Sequence, residues 1–184
     1  MIPQEAKNVF TGQVFSVWQW PQRLFDGSTA VFEAVSRPDT SHTVGVMPDG
    51  RIMLVEDSQP HREAVITPAG GVIDAGETPE EAAKREFREE TGYTIGELIH
   101  WHQYDPGIKL DWTVFAFIGR GVTYEGPPML EAGEKITPCY FRFEEFLMLG
   151  TNPRLRDKVI RIILLEALLD PVKKESLRTL LYGE

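Results

Sequence analysis

The chain has one cysteine, Cys139, in 184 residues. A disulfide within the chain is therefore excluded, and such sparing use of cysteine fits a reducing compartment. No segment supplies the roughly 18 consecutive apolar residues that a membrane helix needs. The opening residues, Met-Ile-Pro-Gln-Glu-Ala-Lys-Asn, carry no apolar signal core. A soluble cytoplasmic protein without a membrane partner is the expectation. Basic residues are also few: 19 Lys and Arg stand against 28 Asp and Glu, for a net charge of −9. General nucleic-acid binders present basic faces, so nucleic acid is not an expected partner. Repeats and low-complexity segments are absent. His42, His61, His100 and His102 show no metal-ligand spacing, and Cys139, in a strand-like run, reads as a packing residue rather than a nucleophile.

What is present is an ordinary globular composition, 42% hydrophobic and 26% charged, long enough for a full core in one domain with a small extension. Two strands are expected over residues 13–20 and 30–36, with Phe25-Asp26-Gly27-Ser28 turning between them. Val44 to Met47, the turn Pro48-Asp49-Gly50, and Ile52 to Val55 predict a hairpin. Residues 56–70 read as a loop holding a short Ala64-Val65-Ile66 strand. Further strands are expected over Glu97 to Tyr104, Thr113 to Ile118 and Ile136 to Phe143, with Gly119 to Lys135 loop-rich. An apolar helix covers residues 157–169, and a polar helical tail follows Pro171. Runs of strands with a few helices predict an α+β layered domain.

One helix carries most of the information. Thr78 is a good N-cap, Pro79 suits the first helical position, and Glu81 three residues on completes a capping box. Gly92 closes the helix as a left-handed cap. Ala82, Ala83 and Phe87 make its apolar stripe. Glu86, Glu89 and Glu90 fall on one another at i+3 and i+4, where like charges cost a few tenths of a kcal/mol per pair. Glu89 and Glu90 also occupy the last turn, where the helix dipole favours cations. Places where local rules fail tend to be functional or strained. Hard divalent cations prefer carboxylate oxygens and bind substrate phosphates with them. From the cluster alone, a solvated helix laced by Lys84, Arg85 and Arg88 remains the alternative.

The wider pattern is more specific. Gly71, five residues, Glu77, seven residues, then Arg85-Glu86-Phe87-Arg88-Glu89-Glu90-Thr91-Gly92-Tyr93 resembles the signature box of the Nudix hydrolases. Phe87 and Tyr93 are aromatic where that family more often has aliphatic residues. The resemblance implies an α/β/α sandwich around a mixed sheet, here with an N-terminal β extension over 1–42 that forms a homodimer and a hydrolase domain over 43–184. It implies that Glu86, Glu89 and Glu90, with the carbonyl of Gly70, hold Mg2+ or Mn2+. Arg85 would orient the glutamates, Glu77 would brace Arg85 or the loop, and Gly71 and Gly92 would be structural. The general base stays open between Glu89 and a loop acid, Glu134 or Glu131.

Outside the box, Val14-Phe15-Ser16-Val17, Asp26-Gly27, Pro68-Ala69-Gly70 and Pro106-Gly107 resemble the ADP-ribose and nucleoside-diphosphate-sugar pyrophosphatases of the same family. The implied reaction is hydrolysis of a small nucleoside diphosphate linked to a sugar. Arg62, Pro106, Glu131, Trp18 and Trp20 are the expected substrate contacts, the tryptophans by stacking on the base, with packing in the strand as their alternative role. Glu56-Asp57-Ser58-Gln59-Pro60 stands where that branch often has an arginine-rich segment. A nucleoside-triphosphate-sanitising pyrophosphatase and a non-catalytic nucleotide sensor are the alternatives.

Overall fold

A computed structural model describes residues 2–130 and 132–183. The N-terminal strands β1 (Lys7–Thr11), β2 (Ser16–Arg23) and β3 (Thr29–Ser36) form an antiparallel meander. The larger sheet is built from β4 (Thr40–Val46), β5 (Ile52–Gln59), β6 (Arg62–Thr67), β7 (Ala69–Val72), β9 (Glu97–Tyr104), β11 (Val114–Arg120) and β13 (Lys135–Phe141). Its order is β13-β5-β4-β11-β9, with β6 paired to β5 and β7 to β4. It is mixed: β11 runs parallel to β4, and the other pairs are antiparallel. Short strands β8 (Tyr93–Thr94) and β12 (Thr123–Tyr124) pair with each other, and β10 (Leu110–Asp111) joins β3. The helices are α1 (Pro79–Thr91), α2 (Phe143–Met148), α3 (Lys158–Leu169) and α4 (Pro171–Tyr182).

Strand alternation splits the core between the two faces of the sheet. Ile52 and Leu54 of β5 point to one face and pack with Phe146, Leu147, Ile160, Leu164 and Leu181 of α2, α3 and α4. Met53 and Val55 point to the other and pack with Phe87 of α1, Ala69 and Val122. The result is helix, sheet and helix in layers, the expected α+β arrangement. Phe87 is fully buried and stands against Gly45, where a Cβ would lie 2.7 Å from its ring. That close approach of α1 to β4 seats the acidic helix on the sheet. Ser41 Oγ adds a hydrogen bond of 2.8 Å to the carbonyl of Pro79 at the start of the helix.

Two expectations differ from the fold. Residues 56–70 are mostly strand, because β5 runs on to Gln59 and β6 returns beside it. The polar run hid this: Asp57 is buried, and Arg62 neutralises it across the hairpin at 2.5 Å. The strand expected to reach Phe143 stops at Phe141, and Phe143 opens α2. The alternation Phe141-Arg142-Phe143 looks extended, but Glu145 takes the Arg142 N–H at 2.7 Å and turns the chain into a helix.

Phe87→Ala should destabilise the fold by about 3–5 kcal/mol through the lost side chain and the cavity left behind. Urea denaturation followed by circular dichroism checks this; a loss below about 1 kcal/mol would contradict the packing of α1 on the sheet through Phe87.

Candidate active site

The box helix starts and stops where its punctuation says. Thr78 accepts from the Glu81 N–H at 3.2 Å, Glu81 accepts from the Thr78 N–H at 2.8 Å, and Gly92 takes φ 79° with its N–H on the Arg88 carbonyl. Between these ends, Arg85 is the hub. Its Nε and Nη2 donate to the two oxygens of Glu77 at 2.9 and 2.8 Å. Nη1 donates to Glu86 at 2.8 Å and to Glu89 at 3.2 Å, and Nη2 also reaches the Val72 carbonyl at 2.9 Å. Hydrogen bonds from Arg85 hold the Glu77 carboxyl below its ordinary range. The same partnership, led by Glu77, raises the Arg85 guanidinium still further above neutrality.

Glu90 lies deeper. It is 8% exposed, and its Oε2 accepts from the Gly70 N–H at 2.8 Å. Burial, with lesser repulsion from Glu86, Glu134 and Asp57, pushes its carboxyl up to about 9. Burial also raises Glu86, against the pull of Arg85, with Glu89 and Glu134 adding repulsion. Glu134, on the segment entering β13, adds like charge to the surroundings of both Glu86 and Glu90. Glu131 lies outside the described residues.

Gly70 and Gly71 belong to neither a turn nor a loop: they pair with His42 and Ser41 inside the sheet as part of β7. A Cβ on Gly70 would stand 2.0 Å from the Ser41 carbonyl oxygen, and one on Gly71 would stand 2.5 Å from Glu86 Oε1. The missing side chains let the acidic end of α1 lie directly on β7.

A divalent cation suits this donor set. Glu86, Glu89 and Glu90 each give one oxygen to Arg85 or Gly70 in the bonds above and have a second for a ligand. Their charges crowd a half-buried corner that a cation would relieve. Among the described residues no three acidic, histidine or cysteine side chains converge as they stand into a group that could hold a metal ion, and a hard cation at these glutamates would draw further oxygens from water or a phosphate.

Beside the box lies a cleft of about 350 Å³. It meets the box at Gly70, Gly71 and Val72, and it is also lined by Arg37, Trp112 and Arg156. Pro106 lines it as well. On its wall, Asp157 accepts from the Val159 and Ile160 N–H groups at 2.9 Å and from the Tyr104 hydroxyl at 2.7 Å, with His42 Nδ1 3.9 Å away. Burial works to raise Asp157, but the His42 ring, the Ile160 N–H and the Tyr104 hydroxyl outweigh it and hold the carboxyl below its usual range.

The other expected contacts lie elsewhere in the chain. Arg62 is taken up by Asp57. Trp18 donates to Ser36 at 2.8 Å and Trp20 to Gln22 at 3.1 Å, both from β2, and neither lines the cleft. Cys139 is half-buried, and burial pushes its thiol up to about 11, so it is not a ready nucleophile. Of the residues that line the cleft, Gly70, Gly71 and Pro106 were expected, whereas His42, Tyr104, Trp112 and Asp157 are scattered along the chain and were not. Asp157 alone carried a local signal, as an N-cap before an apolar helix.

Residues 40–161 match the NUDIX domain. The chain belongs to the Nudix family. It is 30% identical over 93 residues to the ADP-ribose pyrophosphatase of Bacillus subtilis (strain 168), a match spanning 50% of each chain. It is 25% identical over 158 residues to the methanol dehydrogenase activator of Bacillus methanolicus, covering 83% of this chain and 84% of that one. The fold is also that of a solved ADP compounds hydrolase, with a TM-score of 0.74 at 19% identity over 90% of this chain and 92% of the other.

The raised Glu90 gives this Nudix domain a pH signature. The folded protein keeps a proton on Glu90 up to about pH 9, whereas the unfolded chain releases it near 4.5. Metal-free stability from this group is therefore full below about pH 4.5 and is lost as pH rises through 9. Thermal melts in a chelating buffer should show Glu90→Gln raising Tm at pH 8 and flattening this decline, by about 2–4 °C for each kcal/mol recovered. An unchanged melting profile would contradict the burial of an ionisable Glu90.

Proposed function

We propose that this Nudix domain is a magnesium- or manganese-dependent pyrophosphohydrolase acting on a nucleoside diphosphate joined to a sugar, ADP-ribose in type. The observation that carries the reading is the crowding of Glu86 and Glu90 around the glycine pair of β7, beside a cleft large enough for part of a nucleotide. The ADP-ribose pyrophosphatase among its relatives supports the substrate class.

In this reading Glu86, Glu89, Glu90 and the Gly70 carbonyl hold the cation. When bound, such a cation polarises phosphoryl oxygens and stabilises the charge that develops during hydrolysis. The protein groups supply the rest. Arg85 fixes the rotamers of Glu86 and Glu89 through charge-assisted hydrogen bonds, with Glu77 fixing Arg85 in turn. The general base is Glu134 or Glu89: Glu134 adds like charge near both Glu86 and Glu90, and Glu89 spends one oxygen on Arg85. The products are a nucleoside monophosphate and a sugar phosphate.

Homodimerisation through the N-terminal sheet belongs to the same proposal. Ala34 alone is buried among the residues of β1, β2 and β3, while Val9, Phe10 and Val31 stand 52%, 58% and 71% exposed. Apolar strands this open are unusual on a monomer. Sedimentation velocity should give twice the chain mass, and Phe10→Glu with Val31→Glu should shift it toward a monomer; a monomer without substitution rejects the dimer.

Glu86→Gln and Glu90→Gln should each lower kcat on ADP-ribose with magnesium by about 10³-fold or more, with circular dichroism unchanged. Near-normal turnover in either would reject the ligand assignment. Glu134→Gln should cost about 10²–10⁴-fold if it is the base, with a change in the pH–rate profile. If Glu89→Gln alone removes the acidic limb of that profile, the base is Glu89.

A further inference from the structure

The cleft beside the glutamates carries positive charge that diphosphate cleavage at the box does not use. Arg37 lies over the Trp112 ring at 4.4 Å from its centre, and within 5.9 Å of the Phe15 ring. The Trp112 indole N–H is tied to Thr40 Oγ1 at 3.1 Å, which fixes the platform on which the guanidinium rests. Arg156 lines the same cleft, its segment held to β6 by its own N–H on the Ile66 carbonyl at 2.9 Å. Burial, and then the charge of Arg156, lower the affinity of Arg37 for its proton. Among the described residues neither arginine forms an ion pair. Two aspartates also line the cleft and keep their charge: Asp157 accepts from the start of α3 and the Tyr104 hydroxyl, and Asp105 accepts from Thr113 at 3.4 Å.

Arg37, Arg156 and Lys158 set three cations against the two aspartates of the cleft, and an anion would balance the excess. The box glutamates do not line this cleft, and only Gly70, Gly71 and Val72 are common to the two regions. The diphosphate bridge belongs at the glutamates, with the cation. The anion for Arg37 and Arg156 is therefore a different group on the part of the substrate that enters the cleft. A planar guanidinium fork matches the tetrahedral phosphate oxygens in pairs. We infer that Arg37, held on Trp112, and Arg156 form a seat for a phosphate monoester on the substrate, so that the preferred substrates are nucleoside diphosphate sugars carrying a third phosphate on a ribose. This rests on the hydrolase reading above, which places the bridge at the box.

The test compares ADP-ribose with its 2′-phosphate and its 1″-phosphate, which put the monoester on either side of the bridge. One of the phosphorylated compounds should show a kcat/KM at least about tenfold above ADP-ribose, as expected for a hydrogen bond to a charged group. Arg156→Ala and Arg37→Ala should each pull that ratio toward one, and Arg156→Lys should keep part of it. A ratio near one for both compounds, or a ratio that survives both alanine variants, overturns the seat. Calorimetric Kd values for the same three compounds in metal-free buffer decide the seat independently of turnover. A phosphate preference in binding without hydrolysis of any compound would leave the seat standing and reject the hydrolase reading.

Discussion

The arrangement of the site depends on one guanidinium. Arg85 contributes from Nε, Nη1 and Nη2 to Glu77, Glu86, Glu89 and the Val72 carbonyl, which come from the approach loop, the helix and the last strand before it. A lysine could not span this set, because its three donors leave a single point rather than a planar fork. Acids on successive turns of α1 would otherwise repel each other and swing outward. With Arg85 between them they are held in place, and each of the three box glutamates keeps an oxygen for a ligand. Removing the arginine would leave crowded charges without compensation, which is costlier than never having had them.

The glycine pair on β7 is the second constraint, and it is steric. Gly70 and Gly71 pass so close to β4 and to Glu86 that any side chain would collide with backbone or with the carboxylate. The result is a backbone N–H, from Gly70, placed on the buried Glu90. That bond partly offsets the cost of burying a carboxyl group, and the remaining cost appears as a proton held far above the usual range. A buried acid stabilised only in part is a group that a cation can discharge.

Charge is divided over the active face. One corner gathers glutamates around Arg85, and the adjoining cleft is lined by Arg37, which lies over Trp112, and by Arg156. In the proposed reading the first cluster takes a cation with the diphosphate and the second takes an anion of the same ligand. A net charge of −9 hides this division, since a sum over the chain says nothing of where the charges fall.

The start and end of α1 were legible from Thr78, Pro79, Glu81 and Gly92, because capping uses residues only a few positions apart. The strand Glu97–Tyr104 and the apolar α3 were legible for the same reason: periodicity is local. The family signature, too, is a contiguous run. The strand character of residues 56–59 was not legible, since the partner that neutralises Asp57 sits across a hairpin and the pairing with β13 comes from far along the chain. Nor was the cleft. Arg37, His42, Tyr104, Trp112, Arg156 and Asp157 share a wall only because β11 runs parallel to β4 and α3 packs over that face. The sequence by itself determined the acidic helix, its caps and the chemistry its carboxylates invite, because those follow from neighbours three and four residues apart. The tertiary structure decided how deeply Glu90 is buried, which acids face it and which cations line the cleft, because burial and charge proximity depend on segments that only the sheet topology brings together.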